Sequence, residues 1–173
     1  MPRLKDDVRP TANPLPLKLF ATLEQEVFFN LQRAADLLMQ DLENLLKPQQ
    51  LSPTQHNVLR ILRASRGRGL ACHEITERMS THDPDMTRLL DRLEKRRLLT
   101  RVRQKRDRRV ILVRITPEGL TLLRSLDEAV RLSHKRHLGH LGDRRLRLLN
   151  RLLANALENS AAAKEAAEAR IDT

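Results

Sequence analysis

A cluster of basic residues gives the first indication of chemistry in this chain. The segment RQKRDRRVILVRIT, residues 103–116, places five Lys or Arg around Asp107 within seven residues, directly before an apolar β-branched run. Like charges repel one another, so a solvated loop gains nothing by holding them together. We therefore expect this segment to bind something acidic.

The composition is that of a folded, strongly basic protein. The chain has 173 residues, of which 40% are apolar, and this is enough for a hydrophobic core. A formal net charge of +11 indicates nucleic acid or an anionic surface as partner. No apolar run approaches the roughly 20 residues of a membrane span, and the N-terminus lacks the hydrophobic region of a signal peptide. We expect a cytoplasmic protein with no membrane partner.

The spacing of apolar residues predicts a mainly α-helical chain. Residues 1–16 contain four prolines and are predicted to form a flexible arm. Apolar residues at helical spacing predict an N-terminal helix over residues 17–48, ending at Lys47-Pro48 because proline disfavours helix in the residue before it. C-terminal helices are predicted over residues 117–160 with a break at HLGHLG, and the alanine-rich residues 161–173 are expected to be disordered.

The central segment, residues 50–116, has the pattern of three short helices and a β-hairpin. Ser52, Pro53 and Gln55 form a helix-start signal, and Thr116-Pro117 repeats the cap-plus-proline pattern at the start of the next helix. The third helix, at about residues 83–97, has one apolar face and one charged face. Strand-like residues flank the basic cluster at about residues 99–116. This order predicts a helix-turn-helix module followed by a hairpin wing.

The basic charge is concentrated on the third helix and the hairpin. Between residues 83 and 115, 12 Lys or Arg accompany 5 Asp or Glu, which is a net charge of +7. Neutralising phosphates supplies affinity for double-stranded DNA, and a helix fits the major groove. An arginine at a hairpin tip is attracted by the negative potential of a narrow minor groove. Asp107 is predicted to hold Arg109 in a fixed fork, although aspartate also simply favours a turn.

The stretch MTRLLDRLEKRRLLTRVRQKRDRRVILVRITPEG, residues 86–119, resembles the recognition helix and wing of the MarR family of winged helix-turn-helix regulators. The resemblance rests on Thr87-Arg88, on Asp107-x-Arg109, and on Thr116 followed by Gly119. It covers residues 50–120 by motif and residues 17–160 by helix order. It implies a homodimer whose terminal helices interlock and whose wings flank a palindromic operator. Amphipathic terminal segments on either side of a compact module independently favour two-fold pairing.

The residues predicted to contact DNA share the outer face of the third helix or the hairpin tip. By resemblance, Thr87 and Arg88 reach the major groove and Arg109 the minor groove. The full predicted set is Asp85, Thr87, Arg88, Arg92, Lys95, Arg106, Asp107, Arg108 and Arg109.

Two positions depart from the family pattern. Arg97 stands where the family usually has glycine, so we expect resistance to the left-handed conformation that ends a helix, and a different corner between helix and wing. The segment Asp83-Pro84-Asp85 is more acidic than the family's small polar residues. Carboxylates suit a helix N-terminus but repel phosphates, unless Asp85 accepts a hydrogen bond from a cytosine amine.

The resemblance also implies a small organic effector, commonly an aromatic acid or a phenol, that releases a repressor from its operator. Its cleft would lie between the dimer helices and the winged module. Arg33, His56 and Arg60 are candidates for lining that cleft. The alternative, which we favour, is that they are ordinary surface residues, because helix surfaces normally carry such side chains.

Cysteine and histidine offer two further possibilities. Cys72 beside His73 fits a redox switch at a helix N-terminus, but its apolar neighbours favour a small buried residue. His134, His137 and His140 have a spacing that would suit metal ligands. No carboxylate lies within that run and a glycine interrupts its helical register, so solvated or interfacial histidines are favoured and no metal is expected.

Other classes of function are disfavoured. The chain has no Gly-rich phosphate loop, HExxH or GxSxG motif, so we expect no enzymatic activity and no cofactor. Stacking on single-stranded nucleic acid needs aromatic residues, and the chain has three Phe with no Tyr or Trp. A non-specific, nucleoid-type DNA-coating protein remains the alternative to a sequence-specific regulator.

Overall fold

The computed structural model describes residues 20–79, 85–104 and 110–171, with side chains described as far as residue 160. The predicted class, mainly α-helix with a small β-hairpin, is confirmed. In chain order the elements are α1 (Leu23–Leu46), a 3-10 turn (Lys47–Gln49), α2 (Pro53–Ala64), α3 (Cys72–Glu77), α4 (Met86–Lys95), β1 (Leu99–Arg103), β2 (Ile111–Ile115), α5 (Pro117–Leu138), a second 3-10 turn (Gly139–Leu141) and α6 (Gly142–Ile171).

The chain divides into two compact units, residues 1–40 and residues 41–173. In the first, the ring of Phe29 stacks on Phe20 at a centroid distance of 5.0 Å and meets Phe28 edge to face at 5.5 Å. Large apolar side chains are exposed along this unit: Leu23, Val27, Phe28, Phe29, Leu31, Leu37 and Met39. The predicted arm at residues 1–16 lies outside the described residues.

The second unit contains the hydrophobic core. Its buried side chains come from the end of α1, from α2, α3, α4, both strands and α5: Leu46, Leu51, Val58, Leu59, Leu62, Leu70, Ile75, Met86, Leu89, Leu90, Leu93, Leu98, Leu99, Val113, Leu123 and Leu126. The apolar face predicted for the third helix supplies four of them. Burial of these side chains from successive elements fixes the helix-turn-helix order around one core.

Local signals begin α2 and end α1 as predicted, whereas residues 20–22 of the helix predicted from residue 17 are not helical and α1 begins at Leu23. The Ser52 side chain accepts a hydrogen bond from the Gln55 N–H at 3.1 Å, and the Gln55 side chain accepts one from the Ser52 N–H at 3.0 Å. This reciprocal capping box satisfies two otherwise orphaned donors at the start of α2. At the other end of the preceding loop, α1 stops at Leu46, directly before Lys47-Pro48.

The wing is a two-stranded antiparallel sheet. Its register pairs Leu99 with Ile115 and Arg103 with Ile111. Leu70, between α2 and α3, exchanges backbone hydrogen bonds with Val113 at 3.0 and 2.8 Å. The hairpin is therefore attached to the helical module by backbone pairing as well as by buried side chains.

Arg97 corrects the expectation that a non-glycine residue would resist the left-handed conformation. It has φ 58° and is the left-handed residue after α4. The Arg97 N–H donates to the Glu94 carbonyl at 2.8 Å, and the Leu98 N–H donates to the Leu93 carbonyl at 3.0 Å. This pair of bonds is a Schellman motif, and burial of Leu98 offsets the cost of placing a side chain in this conformation.

The last of the C-terminal helices is longer than the sequence predicts. The C-terminal helices are separated at the predicted break by the 3-10 turn Gly139–Leu141. The last helix continues to Ile171, through residues that were expected to be disordered, because its alanine and glutamate residues have high helix propensity. None of the helices in the described ranges has the length and apolar content that crossing a membrane requires.

Candidate nucleic-acid interface

Helix α4 presents the predicted DNA-contacting side chains together on one face. Thr87, Arg88, Arg92 and Lys95 are all exposed, while the opposite face of the helix is buried in the core. Arg92 and Lys95 lie in the last turn, and the Arg92 Nε donates to the Arg88 carbonyl at 3.3 Å. The apolar side of the helix fixes its position, and the cationic side is left available for a polyanion.

The start of α4 differs from the prediction. The helix begins at Met86 and ends at Lys95, because Asp85 has non-helical dihedral angles, φ −118° and ψ 41°, and Arg97 is left-handed. An Asp85 carboxylate oxygen lies 3.3 Å from the Arg88 guanidinium. Asp83 and Pro84 lie outside the described residues. Asp85 therefore stands immediately before the helix, beside one of the predicted base-reading residues.

A cation that the sequence analysis did not single out joins the recognition helix to the wing. The Arg101 Nη1, on β1, donates to Asp91 Oδ1 at 2.6 Å and to Glu94 Oε2 at 2.8 Å. The Arg101 backbone N–H donates to Glu94 Oε1 at 3.0 Å, and its Nη2 lies 3.4 Å from the Thr87 carbonyl oxygen. Burial alone would lower the pKa of Arg101, but the hydrogen bonds and charges of Asp91 and Glu94 raise it above its ordinary value. In the sequence, the feature that could have indicated this contact is the pair of carboxylates three residues apart on α4, Asp91 and Glu94.

A second arginine ties the end of α4 to the loop before α2. The Arg96 guanidinium donates to the Gln50 carbonyl at 2.6 Å and to the Gln49 carbonyl at 2.8 Å. An open cleft of about 470 Å³ lies here, lined by Gln50, Ser52, Gln55, Leu89, Arg92, Lys95 and Arg96. Its cationic lining extends the basic surface from α4 to the N-terminal end of α2.

The hairpin tip carries the other predicted contacts. The Gln104 N–H donates to the Val110 carbonyl at 2.9 Å, which closes the hairpin directly beneath the tip. Arg106, Asp107, Arg108 and Arg109 lie outside the described residues, so their contacts with one another stay predictions. The strand that precedes residues 105–109 in the sequence is joined to α4 by Arg101.

Comparison with known proteins decides the family. The sequence model described as the MarR family matches residues 51–111. The MarR transcription factor of Planctomyces limnophilus is 41% identical to this chain, and the match covers 78% of this chain and 98% of that chain with a TM-score of 0.61. The chain belongs to the MarR family. MarR family regulators are DNA-binding transcription factors rather than enzymes.

Other MarR family structures have the same fold. CouR from Rhodococcus jostii RHA1, solved with p-coumaroyl-CoA, is 25% identical to this chain, and the match covers 78% of this chain and 93% of that chain with a TM-score of 0.68. A mutant MarR from E. coli, solved with operator DNA, is 20% identical over 84% of this chain and 99% of that chain, with a TM-score of 0.70. Among the curated proteins, none matches this chain.

The residues proposed to line an effector cleft in this MarR family member do not share one environment. His56 is buried, with 3% of its surface exposed, which corrects the expectation of an ordinary surface residue. Burial, together with the charges of Arg60 and Arg63, lowers the pKa of His56 to about 4. Arg60 is exposed on the same helix, and Arg33 is exposed in the first unit.

The helix that carries His56, α2, also forms an ion pair with α5. The Arg63 Nη1 donates to both carboxylate oxygens of Asp127 at 2.8 and 2.9 Å, and this lowers the pKa of Asp127. Leu59 and Leu62 on the same helix lie in the core with Leu123 and Leu126 of α5. The module that carries α4 is therefore joined to α5 by both apolar packing and a charged pair.

The remaining cysteine and histidine candidates gain little support. Cys72 is exposed, which corrects the expectation of a small buried residue, because Ile75 is the buried side chain of the six-residue α3. In the described ranges there is no group of three or more His, Cys, Asp or Glu that could hold a metal ion.

His137 Nε2 instead lies 3.1 Å from Asp41 Oδ2, and the Ser133 hydroxyl donates to the same carboxylate at 2.5 Å. Hydrogen bonds from Ser133 and His137 lower the pKa of Asp41.

Proposed function

We propose that this protein is a cytoplasmic, sequence-specific regulator of transcription that binds a palindromic operator in double-stranded DNA as a homodimer. A small organic effector releases it, so that it acts as a repressor. The observation that carries this proposal is the cationic outer face of α4, whose opposite face is buried and whose orientation relative to the wing is fixed by ion pairs.

In this proposal, α4 enters the major groove and the wing reaches the adjacent minor groove. Thr87 and Arg88 contact base edges, while Arg92 and Lys95 contact phosphates. Asp85 stands beside Arg88 and restrains it before it meets a base. At the tip, Arg109 enters the minor groove, steadied by Asp107, with Arg106 and Arg108 on the flanking phosphates.

The proposed homodimer is supported by apolar side chains that each unit leaves exposed. In the first unit these lie along α1 and include two exposed phenylalanines, Phe28 and Phe29. In the second unit they lie along α6, where Leu148, Leu152 and Leu157 are exposed. Large apolar side chains exposed in this number on a helix are typical of an interaction surface, and a second copy of the chain would bury them symmetrically.

The proposed effector is an aromatic acid or a phenol. CouR was solved with p-coumaroyl-CoA, whose acyl group carries a phenol, and DNA binding by BpsR of Bordetella bronchiseptica is regulated by 6-hydroxynicotinic acid, which is an aromatic acid. Here a groove of about 330 Å³ on α2 is lined by Asn57, Arg60, Ile61, Arg63 and Ala64. Arg63 is engaged by Asp127, whereas Arg60 is exposed and can receive a carboxylate. Arg33 and His56, the other residues predicted to line an effector cleft, are not among the residues that line this groove.

Release of DNA requires the effector to discriminate between two states of the dimer. It must bind better to the state whose recognition helices are wrongly spaced for successive major grooves. A coupling free energy of about 1 to 3 kcal/mol would lower operator affinity roughly 5 to 150-fold. The α2–α5 contact through Arg63 and Asp127 is the proposed route between effector and α4.

DNase I footprinting tests the proposed function. Genomic fragments are incubated with the purified protein at about 150 mM salt, with an excess of unrelated duplex DNA, because screening reduces weak phosphate attraction. The regulator predicts a discrete protected palindrome that is lost on adding an effective aromatic acid. A DNA-coating protein would instead protect the fragment continuously and would yield to the competitor.

A further inference from the structure

Arg101 is the cation that holds the recognition helix against the wing. We propose that Arg101 is a positioning residue for DNA reading: it fixes the angle between α4 and the hairpin and keeps two carboxylates of α4 turned away from the DNA. This inference rests on the proposed DNA-binding function and adds a residue to it that makes no DNA contact of its own.

Arg101 contacts α4 at more than one turn of the helix. The partners of Arg101 on α4 are Thr87, Asp91 and Glu94, which are spread over two turns of the helix. One cation that touches a helix at several levels constrains its tilt as well as its distance. The Arg101 backbone N–H also bonds to Glu94, so the strand itself, and not only a flexible side chain, is attached to α4.

Burial of the Arg101 side chain also distinguishes it from Arg88. The Arg101 side chain is only 24% exposed, whereas the Arg88 side chain that is predicted to read bases is 81% exposed. Ion pairs on an open surface contribute little, but a partly buried guanidinium with several hydrogen bonds holds one geometry. Arg101 is therefore committed to α4 and is not available to phosphates.

Arg101 also offsets the negative charge of Asp91 and Glu94 on α4. Asp91 and Glu94 stand next to Arg92 and Lys95, which the proposed function places on phosphates. Without Arg101, each carboxylate would repel the DNA and would attract the neighbouring cations, since Asp91 and Lys95 are four residues apart on one helix. Arg101 draws both carboxylates toward β1, which leaves the outer cations of α4 directed at the partner.

The decisive test separates position from charge. Arg101→Gln alone removes the cation and leaves two carboxylates without it. The triple variant Asp91→Asn, Glu94→Gln, Arg101→Gln removes all three charges and makes the module more positive by one unit. Electrostatics alone therefore predicts that the triple variant binds DNA at least as tightly as the wild-type protein. A positioning role for Arg101 instead predicts that the triple variant binds DNA more weakly than the wild-type protein.

The probe is the duplex that the full-length wild-type protein selects from a random-sequence library, measured at about 150 mM salt. We expect the triple variant to bind it roughly 3- to 30-fold more weakly, in the range of coupling within one contact network. In the footprint, protection at the flanks, where the wings lie, should be lost before protection of the major grooves. A triple variant that binds as tightly as wild type with a complete footprint would overturn the proposal.

Two further variants distinguish a positioning role of Arg101 from a general loss of stability. Arg101→Lys keeps the charge but lacks the planar fork, so it should fold and still bind more weakly than wild type. Glu128→Gln with Arg131→Gln removes an exposed ion pair on α5, with bonds of 2.6 and 2.7 Å, and should leave DNA binding unchanged. Equal losses in the Arg101 and α5 variants would contradict a specific role for Arg101.

Failure of the proposed function is distinguishable from failure of this inference. If the wild-type protein selects no shared sequence, the regulator proposal fails by itself. The Arg101 inference is then decided by hydrogen exchange of the DNA-free protein. Arg101→Gln should accelerate exchange of the β1 and β2 amides while leaving α5 unchanged, and unchanged exchange in the strands would overturn the inference.

Discussion

The Thr116 hydroxyl donates a hydrogen bond of 2.7 Å to the carbonyl oxygen of Arg97. The same oxygen of Thr116 accepts a bond of 3.1 Å from the Gly119 N–H and so caps α5. One hydroxyl therefore joins the left-handed end of the recognition helix to the start of the helix that follows the wing. The Thr116 N–H adds a bond to the Leu98 carbonyl at 3.2 Å. These contacts explain the threonine at position 116, whereas glycine is needed at position 119 because a Cβ there would overlap the Leu98 carbonyl oxygen.

Gly119→Ala is predicted to destabilise the fold by about 1 to 3 kcal/mol or more, the cost of forcing atoms into a packed site. A Cβ at Gly119 would overlap the Leu98 carbonyl oxygen and lie 2.8 Å from Ile115 Cγ1, so backbone must move. Urea denaturation measures the free energy of unfolding. Gly139→Ala is the control, because its Cβ would meet only the flexible Lys135 side chain, at 3.2 Å. Equal stability of both variants would contradict this packing account.

Arg88→Ala is predicted to reduce discrimination between operator and random DNA by about 1 to 3 kcal/mol, the range for a bidentate base contact. Binding to random duplex should change little, because the phosphate contacts remain. Fluorescence anisotropy with both duplexes measures the ratio of affinities. Arg131→Ala on α5 provides a control of the same charge change. A uniform loss on both duplexes would make Arg88 a phosphate contact instead.

His56 is predicted to make folding stability depend on pH between about 4 and 6.5. Its pKa is lowered to about 4 in the folded protein, so the unfolded chain takes up the proton first as pH falls. Its contribution is fully present above pH 6.5 and is lost progressively toward pH 4, by at most on the order of 3 kcal/mol.

Denaturation of wild type and His56→Gln at several pH values checks this prediction. The variant retains a neutral polar side chain, so the difference between the two proteins isolates the titration of His56 from that of the carboxylates. The difference should narrow as pH falls from 7 to 4. Parallel pH profiles for the two proteins would show that His56 is not the titrating group.

Leu152→Glu combined with Leu157→Glu is predicted to convert the proposed dimer into a monomer without unfolding it. These side chains are 58% and 72% exposed, so charge at these positions costs little within one chain but much in an apolar interface. Sedimentation velocity measures the mass and circular dichroism the helix content. Arg151→Glu, about 100° around α6 from Leu152 and about 120° from Leu157, is the control. A double variant that sediments as wild type would move the interface away from this part of α6.

The sequence predicted the features of the fold that local chemistry decides. The caps at Ser52 and Thr116 depend on residues within three positions, and both were located correctly. The apolar periodicity of α4 identified its buried and exposed faces. The left-handed Arg97 was not predicted, because the surrounding packing, and not its own preference, sets its conformation.

The charged residues of the candidate site could be predicted from the sequence, but the contacts between its elements could not. The exposed cations of α4, Arg88, Arg92 and Lys95, were found from the helical period, whereas Thr87 was found from the family resemblance. Arg101 was missed because its partners lie on another element, and the spacing between them has meaning only once the hairpin is placed beside α4. Burial of His56 and exposure of Cys72 likewise depend on how α2 and α3 meet their neighbours.

The measurement that tests the central claim most directly is selection of bound fragments from a whole genome by the purified protein at about 150 mM salt, where the screening length is about 8 Å. The account predicts recovery of a shared palindrome with half-sites about one helical turn apart, matching two copies of α4 in successive major grooves. Recovery of fragments with no shared motif would contradict it and would favour a protein that coats DNA without reading its sequence.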